Sequence, residues 1–199
     1  LINDIGCDIP SSQKAISIAQ QYPFVYAVVG AWPGNTGDMT EEDLETYGKL
    51  AQHPKVVAIG EIGLDYHYDD VPRDIQQHWF DRQMALADRL GKPVVIHERE
   101  AHGDGMEIVR KWADNVPGVF HCFSGSAEMA QELVRLGWYL SFTGVVTFKN
   151  ARRALEAIAA VPMSAAITAV DIKPIRIRIC STNVLLESFK IIFTDSNRF

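Results

Sequence analysis

Apolar and polar positions alternate along this chain in two repeating ways. Five short apolar runs have the length of buried β-strands, at residues 24–29, 56–59, 94–96, 119–120 and 139–142. Six longer stretches carry apolar residues at helical spacing, at residues 13–21, 41–52, 75–90, 105–114, 126–136 and 151–161. The pattern therefore predicts strands that alternate with helices.

Capping residues predict where several of these helices begin and end. Thr40 and Asp43 have the spacing of a capping box before the second helix, and Ser126 is an N-cap residue before the fifth. Gly91 follows the third helix, where a glycine commonly ends one. These signals agree with the boundaries that the apolar spacing predicts.

Continuous apolar strands separated by helices predict an α/β fold with a parallel sheet covered by helices. An open doubly wound sheet and a closed (β/α)₈ TIM-type barrel both have this pattern. No glycine-rich phosphate loop follows any strand, which removes the strongest sign of a dinucleotide-binding or P-loop fold. The 199 residues are enough for one domain with a sizeable core, so we expect a single domain over residues 1–199.

Composition indicates the class of protein to which this domain belongs. The hydrophobic fraction of 47% and the charged fraction of 22% are those of a soluble globular protein. No apolar run approaches the ~18 residues that span a bilayer, and the first residues lack a signal-peptide pattern. We therefore expect no membrane association, and the sequence gives no indication of an obligate protein partner.

The three cysteines and the net charge add two further expectations. Cys7, Cys122 and Cys180 are an odd number at wide spacings, which argues against a disulfide framework and for a cytoplasmic location. Cys122 follows His121, so we expect its side chain on the opposite face, in the helix layer. The net charge of −6 predicts little non-specific attraction to duplex phosphates, so any nucleic-acid contact would be local.

Three potential metal ligands follow three of the apolar runs. Glu61 closes VVAIGE, His97 closes VVIH and His121 closes VFH, at intervals of 36 and 24 residues that each suit about one β/α unit. Alternate strand residues share a face, so Glu61 is expected beside Val57 and Ile59, and each histidine beside the residue two positions before it. In a barrel the carboxyl ends of the strands form the active-site mouth, where these side chains would converge.

A fourth candidate ligand lies further along the chain. Asp171 closes ITAVD fifty residues after His121, an interval that suits two β/α units. A lone histidine at a strand end is more often hydrogen-bonded structure than a ligand, but joint placement at successive strand ends favours a metal. One glutamate, two histidines and one aspartate form a mixed nitrogen and oxygen set, which Zn²⁺ or Mn²⁺ accept. A metal would also neutralise the buried carboxylate of Glu61.

Several segments resemble the TatD family of metal-dependent deoxyribonucleases. They are GEIGLDY at 60–66, VIHERE at 95–100, HCFSG at 121–125 and GWYLSFTGVVTFKN at 137–150. The resemblance covers about residues 5–162. It implies a (β/α)₈ TIM-type barrel of the amidohydrolase type with two divalent metal ions (Mg, Mn or Zn). It also implies hydrolysis of phosphodiester bonds, with DNA or a small phosphoester as substrate.

The resemblance also implies roles for individual residues. Glu61 is similar to the carboxylate that bridges the two metals, and His97 and His121 are similar to ligands of the second ion. The spacing places Asp171 at the family's final ligand, although the residues before it differ from the family's Glu-Thr-Asp motif. Asp195, in IIFTDS, matches that motif better but lies later in the chain, so it stays open as an alternative.

Further residues are candidates for catalysis and substrate binding. Asp171 would accept a proton from the attacking water as general base. Arg99 could hold a phosphate through its planar guanidinium or form an ordinary ion pair at the rim. Tyr66 and His67 follow Glu61 in a loop at the mouth, where they could contact a base or a phosphate, although packing is an equal expectation for Tyr66. Ser124 is expected to line the pocket.

The chain departs from the family pattern at both ends. The family's first strand carries a His-x-His pair that holds the first metal, and this chain has no such pair. Its start resembles the family's second strand, so we expect a barrel that is incomplete at the N-terminus. After Pro162 the resemblance ends, and residues 163–199 form an atypical segment that lacks the family's closing motifs.

Two other functions fit parts of the pattern. One is an amidohydrolase acting on a cyclic amide or lactone, but many such barrels bridge their metals with a modified lysine where this chain has Glu61. The other is a non-catalytic barrel that serves as a binding module, which the missing His-x-His pair supports. The sequence upstream of Leu1 discriminates between enzyme and binding module, because a His-x-His pair there would complete the site.

Overall fold

Seven parallel strands form one curled sheet in a computed structural model that describes residues 1–68 and 70–168. The strands are β1 (Ile2–Ile5), β2 (Val25–Val29), β3 (Val56–Asp65), β4 (Val94–Arg99), β5 (Gly118–Phe120), β6 (Tyr139–Phe142) and β7 (Ala166–Thr168). Each strand pairs with the next one along the chain, in the order β1 to β7. This sequential order is that of a barrel-type β/α fold, since a doubly wound sheet reverses its strand order.

Within the described residues, six helices connect the strands and cover one side of the sheet. They are α1 (Ile9–Gln21), α2 (Glu41–Leu50), α3 (Arg73–Leu90), α4 (His102–Trp112), α5 (Ala127–Arg135) and α6 (Arg152–Ala159). Three short 3₁₀ turns lie at Pro33–Asn35, Gly144–Thr147 and Met163–Ala165. All six predicted helices are confirmed. In the described part of the chain, none of them combines the length and the apolar character needed to cross a membrane.

The predicted helix boundaries are also confirmed at their caps. The Thr40 hydroxyl accepts a hydrogen bond from Asp43 N at 3.3 Å, and the Asp43 carboxylate accepts one from Thr40 N at 2.9 Å. Ser126 caps α5 through Met129 N, and Gly91 ends α3 in the left-handed conformation. Satisfied helix ends fix where each chain segment turns back into the sheet.

Each face of the sheet carries its own hydrophobic cluster. The main core lies between strands and helices, whereas the inner face carries a small cluster of Val28, Ala58, Val95 and Val119. His97 and His121 each follow one of these inner residues by two positions, so their predicted faces are confirmed.

The prediction that Cys122 lies in the helix layer is wrong. Its backbone has a φ of 47°, and its Sγ lies 3.0 Å from the Thr143 hydroxyl. Phe123 fills the helix layer instead.

Strand β3 differs from its prediction in length and in register. It continues to Asp65, so Glu61 lies within the strand, and its pairing with β4 shifts between Ile59 and Ile62. Ile59 packs in the main core, and Ala58 belongs to the inner cluster. The prediction that Glu61 shares a face with Ile59 is therefore wrong, because the irregular register breaks the strict alternation between the two residues. Val57 packs against the inner cluster, on the side of the sheet that carries the two histidines, as predicted.

A substitution at Gly63 tests how closely β3 approaches the backbone of β4 at His97. Its φ is 137°, and a Cβ atom placed there would lie 1.9 Å from the backbone oxygen of His97. We expect Gly63→Ala to lower the free energy of unfolding by about 2–4 kcal/mol, since it adds backbone strain and overlap. Urea unfolding of wild type and variant measures the difference.

The matched control for this substitution is Gly103→Ala in α4. No atom of the described residues lies within 4 Å of a Cβ placed at Gly103, so alanine should stabilise the helix by about 0.5–1 kcal/mol. If Gly63→Ala unfolds at the same urea concentration as wild type, the close contact between the two strands is not real.

Candidate metal centre

The predicted ligands lie at one level of the sheet, at the rim where β2 and β5 end. Glu61 N donates to the Gly6 carbonyl oxygen at 3.0 Å, and His121 N donates to the Ile96 carbonyl oxygen at 3.0 Å. Glycines permit this approach, because a Cβ atom on Gly30 would lie 2.9 Å from the Gly60 backbone. The backbone of three neighbouring strands therefore aims Glu61, His97 and His121 into the same space.

Glu61, His97 and His121 form one compact group. His97 Nδ1 lies 3.0 Å from Glu61 Oε1, and His121 Nε2 contacts the same carboxylate oxygen. One ligand atom from each residue lies within 4.8 Å of the other two. The side chains are only 13–18% exposed. Two imidazole nitrogens and a carboxylate oxygen at this separation suit a divalent transition metal.

Asp65 is a member of this site that the sequence analysis missed. Its side chain is 2% exposed, and its Oδ2 lies 2.8 Å from His97 Nε2. The other oxygen, Oδ1, accepts a hydrogen bond from His67 N at 2.9 Å. His97 is therefore held between two carboxylates, with Nδ1 toward Glu61 and Nε2 toward Asp65. Such a carboxylate behind a histidine fixes the ring orientation of a metal ligand.

The charged and hydrogen-bonding partners within this group shift the pKa values of Glu61 and His97 strongly. Burial raises the pKa of Glu61, but the charges and hydrogen bonds of His121 and His97 outweigh it and hold that pKa well below its usual range. Burial lowers the pKa of His97, but hydrogen bonds to Asp65 and Glu61 raise it to about 9. The carboxylates are thus charged at neutral pH and favour a cation in this space, whether a protonated His97 or a metal ion.

The structure places Tyr66 away from this group. Its side chain is buried, and its hydroxyl donates to Asp104 Oδ2 at 2.7 Å and accepts a hydrogen bond from Gln77 at 2.7 Å. Burial, followed by the bond to Asp104, raises the pKa of Tyr66 to about 12. The hydroxyl therefore joins α3 to α4, as the packing alternative expects.

The other predicted substrate residues lie at the surface near the rim. His67 is exposed, and its Nδ1 lies 2.8 Å from Glu100 Oε1. The Arg99 guanidinium lies over the Tyr68 ring, 5.2 Å from its centroid. Ser124 is exposed. Asp171 and Asp195 lie outside the described residues.

The raised pKa of His97 predicts how stability depends on pH when no metal is bound. The folded state holds the His97 proton more tightly than the unfolded chain, so this stabilisation is fully present below pH 6.5 and is lost as the pH rises through about 9. We expect the loss to reach about 3 kcal/mol. Urea unfolding in EDTA between pH 6 and pH 10 measures it.

The variant Asp65→Asn separates this effect from general alkaline unfolding. It removes one of the two carboxylates, so the pKa of His97 should fall and the stability should decline at lower pH than in wild type. Nuclear magnetic resonance of the His97 ring gives that pKa directly. An identical pH profile in wild type and in Asp65→Asn would contradict the arrangement.

Comparison with known proteins places the chain among related sequences. The family profile described as TatD related DNase matches residues 1–183. An uncharacterised metal-dependent hydrolase, YabD of Bacillus subtilis, is 46% identical over 159 residues, which cover 79% of this chain and 62% of that protein. The 3'-5' ssDNA/RNA exonuclease TatD of Enterobacter lignolyticus is 37% identical over 142 residues, which cover 71% of this chain and 55% of that protein.

A solved structure supports the same relationship. The TatD homologue YJJV of Escherichia coli superposes with a TM-score of 0.77 at 29% identity, over 83% of this chain and 64% of that one. The chain thus spans somewhat less than two thirds of the length of these relatives. The barrel-type sheet, the candidate ligands at its rim and the profile match agree, and the chain belongs to the TatD-related DNase family.

Proposed function

We propose that this chain forms the larger part of a metal-dependent hydrolase that cleaves phosphodiester bonds of DNA. The observation that carries the proposal is the convergence of Glu61, His97 and His121 on one space at the rim of the sheet. The relatives support it, since one is named a metal-dependent hydrolase and another a 3'-5' ssDNA/RNA exonuclease.

The donor set fits a divalent ion held by three side chains. Glu61 would bind through its carboxylate, His97 through Nδ1 and His121 through Nε2, the atoms that already face one another. Nitrogen donors favour Zn²⁺ or Mn²⁺ over Mg²⁺. Both histidines contact Oε1 of Glu61, and a carboxylate has a second oxygen, so the same residue could bridge to a second ion.

The protein's own groups prepare this site for phosphodiester chemistry. A bound divalent ion would supply polarisation of a phosphoryl oxygen and a water of lowered pKa. Asp65 holds the His97 ring so that Nδ1 faces the ligand space. Arg99, which ends β4 two residues after His97, presents a guanidinium that can pair with a phosphate. Asp171 is our candidate for the last ligand and the general base.

Removal of the metal tests the proposal. The complete gene product treated with EDTA should lose cleavage of a single-stranded oligonucleotide, and added Mn²⁺ should restore it. Glu61→Gln should lower cleavage at least about 100-fold even with saturating Mn²⁺, because loss of a direct ligand exceeds the cost of losing an outer partner.

Glu41→Gln is the matched control for this experiment. Glu41 is exposed at the start of α2 and pairs with Arg82 of α3, and its ion pair involves none of Glu61, His97 and His121, so its loss should leave cleavage unchanged. Cleavage that is undiminished after EDTA treatment, or equal in Glu61→Gln and wild type, would contradict the proposal.

A further inference from the structure

A second group of side chains lies at the same rim, next to the metal centre. It consists of Trp32, His67, Tyr68 and Arg99, which we call the rim aromatic cluster. Trp32 follows β2, His67 and Tyr68 follow β3, and Arg99 ends β4. Three successive strands thus contribute to the cluster at their carboxyl ends. None of its members is used to build the core.

Ring-to-ring contacts connect His97, a candidate metal ligand, to the exposed residues of the cluster. The Trp32 ring centroid lies 5.7 Å from that of His97, and the Tyr68 centroid lies 6.5 Å from that of Trp32. The His67 ring lies edge-on to Tyr68 at 5.0 Å, and the Arg99 guanidinium lies 5.2 Å from the Tyr68 centroid. Tyr68 is 38% exposed, so an aromatic surface stands open beside the ligands.

The backbone that carries the cluster is anchored by hydrogen bonds within the protein. Trp32 N donates to the Cys7 carbonyl oxygen at 2.9 Å. A Cβ atom on Gly34 would lie 1.9 Å from the Trp32 ring, so the glycine leaves the space that this ring occupies. Asp65 Oδ1 accepts hydrogen bonds from the backbone of His67 and of Tyr68. A preorganised aromatic surface loses little conformational entropy when it binds a flat ligand.

The chemistry of the cluster fits a nucleobase joined to a phosphate. Stacking of a base on an aromatic side chain contributes about 1–3 kcal/mol and tolerates any base, since every base has a π face. The Arg99 guanidinium can pair with the adjoining phosphate. The net charge of −6 leaves little general attraction for a polyanion, so local contacts such as stacking would have to supply the affinity.

We propose that the rim aromatic cluster is a nucleobase subsite, in which Trp32 and Tyr68 stack the base of the nucleotide next to the scissile phosphodiester bond. The inference rests on the proposed function, because the metal centre places the scissile bond beside His97. The subsite recognises the presence of a base and not its identity.

The experiment compares two single-stranded oligonucleotides that differ in one terminal nucleotide. One carries an ordinary base there and the other an abasic analogue, and both ends are tested in turn with the complete gene product and Mn²⁺. Loss of base stacking should raise KM about 5- to 100-fold for the abasic oligonucleotide at one end.

Variants of the cluster identify the residues that sense the base. Trp32→Ala and Tyr68→Ala should raise KM for the base-bearing oligonucleotide and remove the difference between the two substrates, whereas Tyr68→Phe should keep the difference. The matched control is Tyr22→Ala: Tyr22 is a 48% exposed aromatic residue before β2, at the opposite end of the strands. The Tyr22→Ala variant should keep the full difference in KM between the two oligonucleotides.

The outcomes separate the subsite from the enzyme. Equal KM for both oligonucleotides at both ends in wild type would overturn the subsite while the hydrolase stands. A difference that persists in both alanine variants would also overturn it, because the base would be sensed elsewhere. Failure of wild type to cleave either oligonucleotide would overturn the proposed function, and the subsite with it.

Discussion

His97 lies between two buried carboxylates, and this contact organises the rest of the rim. Glu61 contacts Nδ1 and Asp65 contacts Nε2, so the imidazole ring has no freedom to turn. Two acids can remain charged in a buried position only if a cation balances them. The chain meets this requirement with a raised pKa at His97, and a divalent ion would meet it more strongly. Both acids lie on β3, which continues past the end of β2 and pairs with β4 as far as Asp65.

Asp65 also connects the candidate metal centre to the surface around it. One of its oxygens holds His97, and the other holds the backbone of His67 and Tyr68. A single buried carboxylate therefore positions a ligand and the loop that bears the exposed aromatic ring. Asp65, at the end of β3, therefore holds part of the candidate metal centre and part of the rim aromatic cluster. A substrate that contacts both would be oriented by neighbouring strand ends and the loops that follow them, and such positioning of the reacting groups favours fast chemistry.

Much of the site could be predicted from the sequence, because Glu61, His97 and His121 each follow an apolar run at intervals of about one β/α unit. The faces of the two histidines followed from simple alternation along the strand. The predicted alignment of Glu61 with Ile59 failed, because the register shift between Ile59 and Ile62 depends on pairing with β4. Asp65 was missed because the strand was predicted to end at the first acid, Glu61. Trp32 and Tyr68 were missed because loop aromatics carry no periodicity, and only tertiary contacts bring them beside His97.

Anomalous X-ray diffraction from zinc-soaked crystals of the complete gene product tests the central claim most directly. The account predicts an anomalous peak at about 2.0–2.2 Å from His97 Nδ1, from His121 Nε2 and from a carboxylate oxygen of Glu61. Asp65 should stay on His97 Nε2 without contacting the ion. A peak bound by other residues, or an empty space among these three side chains at saturating zinc, would contradict it.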